Sequence, residues 1–162
     1  MSGDNEGKVC YSNYQTGEVG GIYGTHTGSV ESIAFSSGEE LPFCVSCAID
    51  SVINIYNIKE NTVRQKITAT ESGGFTKLQF SQIDPSMFYA SSTTGDIMIF
   101  DVRNGNKIRT YRGHAAPIND FIEVVQHKVI VTAGDDFVCN VYDLTKEPKK
   151  IEKKLEMNKE LS

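Results

Sequence analysis

Gly7-Lys8-Val9-Cys10-Tyr11-Ser12-Asn13 is a phrase that this chain repeats. It returns as Ser51-Val52-Ile53-Asn54-Ile55-Tyr56-Asn57, Gly95-Asp96-Ile97-Met98-Ile99-Phe100-Asp101 and Phe137-Val138-Cys139-Asn140-Val141-Tyr142-Asp143. The copies end at Asn13, Asn57, Asp101 and Asp143, 42 to 44 residues apart. A fixed period of this length marks a repeat architecture, in which each unit buries apolar surface against its neighbours. Each copy alternates along a short strand and stops at Asn or Asp. A turn cluster and another strand follow, as where Asp101 leads through Arg103-Asn104-Gly105-Asn106 to Lys107-Ile108-Arg109-Thr110-Tyr111. Two more strands precede the phrase, such as Ile118-Asn119-Asp120-Phe121-Ile122 and Val129-Ile130-Val131-Thr132-Ala133, with Gly134-Asp135-Asp136 as the connecting turn. Period-two alternation between regularly spaced turns predicts an all-β chain. Four antiparallel strands per unit of about 40 to 45 residues is the pattern of a β-propeller blade.

The spacing divides the chain into blades at residues 24–68, 69–111 and 112–144, with residues 1–23 as the end of a preceding blade and 145–162 as a Lys/Glu-rich tail. The expected fold is therefore all-β, a partial propeller of about three and a half blades. Single-chain propellers close with about four to eight blades, and an open arc exposes strand edges and blade faces. The rest of a longer propeller, cut away here, is expected to complete the ring. Closure by a second copy and a free-standing arc are the alternatives.

Gly113-His114 ahead of the last unit and Tyr142-Asp143 at its end resemble the WD40 repeat, whose closing dipeptide is Trp-Asp. The resemblance implies a structural tetrad of His, Ser or Thr, Asp and Trp. The matching positions are His114, Thr132, Asp136 and Tyr142, and in an earlier copy His26, Ser46, Asp50 and Tyr56. A carboxylate accepts one imidazole N–H and a hydroxyl satisfies the other ring nitrogen, which ties loop to turn. The chain has no Trp. Tyr carries its donor on a different vector, so the fourth bond is expected to be altered or lost in both copies. The middle copy has Phe100, Ala90 and Thr94 at these positions and no His near Glu71-Ser72-Gly73-Gly74. A network missing altogether leaves no half-satisfied polar group.

Longer phrases narrow the resemblance. Gly28-Ser29-Val30-Glu31-Ser32-Ile33-Ala34-Phe35, Tyr111-Arg112-Gly113-His114-Ala115-Ala116-Pro117-Ile118-Asn119-Asp120-Phe121 and Val131-Thr132-Ala133-Gly134-Asp135-Asp136 resemble the C-terminal blades of the angio-associated migratory cell protein family, over residues 2–144. That family includes the fungal chaperone of a large-subunit ribosomal protein. The resemblance implies a non-catalytic escort that holds a basic segment of a ribosomal protein on an acidic propeller face. A signalling, cytoskeletal or cell-migration scaffold is the alternative. The net charge of −5 is compatible with a basic partner, because an acidic body steers cationic segments toward it. The same bias also serves simple solubility. The loops that carry the tetrad offer Asp135, Glu71, Asp4 and Glu6 as candidate partner-binding residues, each with the alternative of a solvated turn residue. Asp135 leads, having no evident structural duty. Glu39 and Glu40 fall on the opposite rim.

Other chemistries find little support. Cys10, Cys44, Cys47 and Cys139 lack zinc-ligand spacing, and Cys44 and Cys47 fall within one predicted strand. Buried, reduced thiols are expected, which suits the cytoplasm, with the nucleus as a second compartment. His114, Thr132 and Asp136 mimic a hydrolase triad but are accounted for by folding, and His127 falls in a turn. The expectation is a protein without catalytic residues, metal or cofactor. No apolar run approaches membrane-spanning length, and the acidic body argues against direct nucleic-acid binding. In the tail, Pro148 could open a short helix with Ile151 and Leu155 one turn apart. The outer strand of the last blade and a frayed end are the alternatives.

Overall fold

The computed structural model describes residues 1–13, 15–37, 41–147 and 151–156. Four antiparallel sheets succeed one another along the chain. The first comprises β1 (Ser2–Gly3), β2 (Lys8–Ser12) and β3 (Val19–Thr25). The second runs β4 (Val30–Phe35), β5 (Phe43–Ala48), β6 (Val52–Asn57) and β7 (Thr62–Thr68). The third contains β8 (Phe75–Phe80), β9 (Met87–Ser92), β10 (Asp96–Asp101) and β11 (Lys107–Arg112). The fourth contains β12 (Ile118–Val124), β13 (Val129–Gly134), β14 (Val138–Asp143) and β15 (Ile151–Glu156). Within each sheet the strands pair in sequence order, a meander, so each sheet is one blade.

The repeated phrase forms the third strand of each four-stranded sheet, and its alternation is explained by packing on two sides. On β10, Met98 and Phe100 join Ile53, Ile55, Phe75 and Phe88 in a core between the second and third sheets. Ile97 and Ile99 point the other way and meet Ile118, Phe121, Ile130 and Tyr142 between the third and fourth. Val9 packs with Cys44 and Tyr56 between the first and second. Phe88 and Phe100 stack with centroids 5.4 Å apart, the offset geometry that aromatic pairs favour. A sheet with apolar residues on both faces is what a stacked repeat requires.

The repeat extends to irregularities. The first-to-second strand register shifts between Val30 and Ser32, between Phe75 and Lys77, and between Ile118 and Asp120. The third-to-fourth strand register shifts at Ile55/Tyr56, Ile99/Phe100 and Val141/Tyr142. A bulge at the same place in each of the three four-stranded blades is a device that re-aims side chains and adds twist. Neighbouring blades are also joined by polar contacts. Glu123 of β12 is buried and accepts Tyr89 Oη–H at 2.5 Å, Ser81 Oγ–H at 2.8 Å and Gln82 N–H at 2.6 Å from the third sheet. Lys77 pairs with Asp120 across the same interface.

Three expectations change. β3 runs on to Thr25 and β11 to Arg112, so the outer strands pass the expected boundaries at 23 and 111. The tail at 145–162 is not separate throughout: β15 is the outer strand of the fourth sheet, pairing Cys139 with Leu155. The open edge of β14 gains a full ladder this way, which outweighs the local helix preference of Lys and Glu. Pro148, Glu39 and Glu40 lie outside the described residues.

Candidate functional site

Register places Val30 beside Ala48 and Val52 beside Thr68. The loop entering β4, the β5–β6 turn and the end of β7 therefore share one rim, and the other blades follow suit. His26 sits in the loop before β4 and Asp50 in the β5–β6 turn. His26 Nδ1 lies 3.2 Å from both Asp50 carboxylate oxygens, and Nε2 lies 2.8 Å from Ser46 Oγ. Tyr56 Oη stands 2.8 Å from Ser46 Oγ. A carboxylate accepts only, so His26 Nδ1 carries the proton and Nε2 accepts from Ser46, whose oxygen in turn accepts from Tyr56. The fourth bond is thus kept in altered form in this copy, with the Tyr hydroxyl reaching Ser46 from the third strand in place of an indole N–H. Burial pushes the His26 pKa below its ordinary value despite Asp50, which keeps the ring neutral.

The fourth sheet repeats the arrangement. His114 Nδ1 donates to Asp136 Oδ1 at 2.8 Å, and Thr132 Oγ1 donates to His114 Nε2 at 2.7 Å. Asp136 also accepts Ala115 N–H at 2.9 Å and Val138 N–H at 3.3 Å. Burial opposes ionisation of Asp136, yet these donors hold its pKa below the usual carboxylate value. Burial pushes the Tyr142 hydroxyl up to about 12. Its oxygen accepts Asn140 Nδ2–H at 3.2 Å.

Two residues escaped the sequence reading. Asn54 and Asn140 are fully buried in β6 and β14, one on each network. Asn54 Nδ2 lies 3.0 Å from His26 Nε2. The signal was available: both tetrad-bearing copies have Asn at this position, and the third copy has Met98. There a hydroxyl set ties loop to turn instead. Thr94 Oγ1 donates to Ser72 carbonyl oxygen at 3.1 Å, and Gly74 N–H donates to Thr93 Oγ1 at 3.0 Å.

The four acidic candidates all fall on the tetrad rim, but they differ in what occupies them. Asp4 Oδ1 accepts Glu6 N–H at 2.9 Å and Lys8 N–H at 2.8 Å, a turn-capping duty. Ser92 does the same in the third sheet, accepting Asp96 N–H at 3.0 Å. Glu6 pairs with Lys8 at 2.6 Å. Glu71 pairs with Lys107 at 2.9 Å, and that hydrogen bond holds its pKa down. Asp135 is exposed but has a structural partner after all: Asn119 Nδ2 donates to its Oδ1 at 2.5 Å.

Cys44 and Cys47 are buried and unpaired with each other, and burial pushes the Cys44 thiol up to about 12 and Cys47 higher. Such thiols are poor nucleophiles and poor ligands. Among the described residues, no group of three or more His, Cys, Asp and Glu could hold a metal ion. No helix among them is long and apolar enough to cross a membrane.

The family model for "WD domain, G-beta repeat" matches residues 17–57 and 105–143. The chain carries WD40 repeats. The two matched stretches are those with His26 and His114, while the stretch between them holds β8, β9 and β10 of the hydroxyl-tied third blade. WD40 folds generally act as binding scaffolds. Among curated proteins, the chain is 27% identical to "Angio-associated migratory cell protein" of Homo sapiens over 73% of this chain and 26% of that protein. It is 27% identical to an uncharacterized WD repeat-containing protein of Schizosaccharomyces pombe, over 87% of this chain and 34% of that one. It is also 28% identical to "Pre-mRNA-splicing factor cwf17" of the same yeast, over 62% of this chain and 30% of the factor. The chain thus spans about a quarter to a third of the length of these relatives.

Proposed function

We propose that this chain is part of a non-catalytic WD40 scaffold whose tetrad-bearing rim holds a basic segment of a protein partner, in the setting of ribosome assembly a large-subunit ribosomal protein. Asp135 carries the proposal: it is exposed on a turn that Asp136 and His114 hold rigid. Loops anchored on a rigid scaffold are where binding residues concentrate, and the net charge of −5 favours a cationic partner. The Lys partners of Glu6 and Glu71 are exposed, and surface pairs of this kind exchange readily for another cation. The cytoplasm is the proposed compartment, with the nucleus as a second. The remainder of a longer propeller, or a second copy, is proposed to cover the outer face of the fourth sheet, where Ile122 is exposed.

The second reading is a scaffold in cell migration or signalling, which the name of the human relative favours. A pull-down with the basic N-terminal peptide of a large-subunit ribosomal protein separates the two. Retention that weakens with salt supports the escort role. No retention, or retention indifferent to salt, opposes it.

A further inference from the structure

We infer that the groove between the third and fourth blades, on the rim opposite the histidine networks, is a second binding site, for an apolar peptide segment that carries a carboxylate. It differs from the site proposed above in rim, residues and charge. The groove encloses about 320 Å³, within the range of ligand-binding cavities. Its third-blade wall is a row across three strands: register sets Tyr89 beside Ile99 and Ile99 beside Arg109. Leu144 and Lys128 line the fourth-blade side. Ile83 and Ile108 also line the groove and stay 41% and 47% exposed.

The second blade shows why this groove stays open. The bulge in each third-to-fourth strand ladder extrudes one residue: Arg64 between Val63 and Gln65, Ile108 between Lys107 and Arg109, and Glu152 between Ile151 and Lys153. Arg64 lies 5.0 Å over the Phe43 ring, and its Nη2–H donates to the Arg103 carbonyl oxygen at 3.0 Å. Gln65 Nε2–H donates to the Asn104 carbonyl oxygen at 3.0 Å. Two side chains thus strap the outer strand of the second blade to the β10–β11 turn of the third. At the next interface Ile108 has no donor to offer. Arg109 makes one such bond, from Nη1–H to the Leu144 carbonyl oxygen at 3.1 Å. An aliphatic residue where both other blades have a charged one leaves apolar surface along an open groove, which marks an interaction site.

Charge around the groove selects the partner. A guanidinium has five N–H donors, so the bond to Leu144 leaves Arg109 with more, and Lys128 is exposed beside it. The nearby carboxylates are engaged within the chain. Asp84 accepts Ser86 N–H at 3.0 Å and Ser86 Oγ–H at 2.7 Å. Glu123 is buried behind Tyr89 and Ser81 and accepts both hydroxyls. Asp143 accepts Thr145 N–H at 2.8 Å and Thr145 Oγ1–H at 2.6 Å. Glu147 is exposed and supports the charge of Arg109, and a surface interaction of that kind yields readily to another carboxylate. An aliphatic side chain seated on Ile99, Ile108 and Leu144, with a carboxylate on Arg109, meets both halves of the groove. A cationic segment would meet two like charges.

The test titrates the full chain with a labelled peptide that alternates Leu with Asp, by fluorescence anisotropy at low ionic strength, beside a Leu/Ser peptide of the same length. The Leu/Asp peptide should bind, and the Leu/Ser peptide about fivefold more weakly. Ile108→Thr should keep its Tm and bind the Leu/Asp peptide about fivefold more weakly, having lost apolar contact. Arg109→Gln should weaken binding by a similar factor and make it less sensitive to salt. Lys128→Asn, which suits the left-handed φ of 51° at that position, should act in the same direction and gives the reading if Ile108→Thr melts lower. These variants should leave the binding of an Arg/Gly peptide unchanged, because that belongs to the other rim, so either site can fail without the other. No binding of the Leu/Asp peptide, equal binding of the Leu/Ser peptide, or variants that bind like the natural sequence would overturn the assignment. A dimer in sedimentation that Ile108→Thr dissolves would make the groove a contact between copies and overturn it too.

Discussion

Gly95 and His114 are in backbone contact: a Cβ added to Gly95 would stand 2.6 Å from the His114 carbonyl oxygen. The turn of one blade is thereby fitted to the histidine loop of the next, and the tetrad stabilises the interface between blades as well as the blade that contains it. Gly95→Ala combines a left-handed φ of 88° with this clash. It should destabilise the chain by about 2–3 kcal/mol. Gly17→Ala has a similar φ of 72° but open space around it, and should cost about 1 kcal/mol. Urea denaturation of the two variants measures the difference.

The donor chain from Tyr56 through Ser46 to His26 predicts unequal losses. Tyr56→Phe removes the terminal donor and should cost about 1 kcal/mol. Ser46→Ala breaks two buried bonds, the one to His26 and the one from Tyr56, at about 2 kcal/mol. Denaturant midpoints should rank the variants in that order. The reverse order would require a different proton arrangement on His26.

Glu123 ties the fourth blade to the third through three donors, with no cation paired to it among the described residues. Glu123→Ala leaves Tyr89, Ser81 and Gln82 donors unmet and should cost about 3 kcal/mol. Thermal unfolding is the check. Glu123→Gln keeps acceptor capacity and should fall between the alanine variant and the natural sequence.

Stability should fall on acidification in two stages. The His26 pKa lies below its ordinary 6.5. The unfolded chain therefore takes up a proton that the folded chain refuses, and the stability due to this ring, full above about pH 6.5, declines as pH falls below it. Asp136, held below its ordinary 3.8, acts with the same sign further down. Its contribution is present above about pH 3.8 and is lost as pH falls through its folded value. Urea unfolding across pH shows both stages, and His26→Gln should flatten the upper one.

The blade pattern was legible because the phrase from Val52 to Asn57 and its copies fixes strand, facing and turn together. The histidine networks were legible because His26 and Asp50 recur as His114 and Asp136 at matching intervals. The capping duties of Asp4 and Ser92 were not, since they depend on turns that differ between blades. The strand at Ile151–Glu156 was ambiguous in principle: Ile151 and Leu155 are in phase both for a helical turn and for one face of a strand. The edge of β14 decides it, and that edge is a tertiary fact. The fit of Gly7 and Gly95 to the next blade was hidden for a similar reason: the glycines can be read, but the carbonyl oxygens that crowd them cannot.

The central claim is that an acidic rim holds a cationic segment, and the salt dependence of binding tests it most directly. An Arg/Gly peptide is titrated into the natural chain and into Asp135→Asn across a range of salt concentrations. The account predicts saturable binding that weakens steadily with salt, and a weaker, less salt-dependent affinity for Asp135→Asn. Equal affinity and equal salt dependence in the two proteins would contradict it.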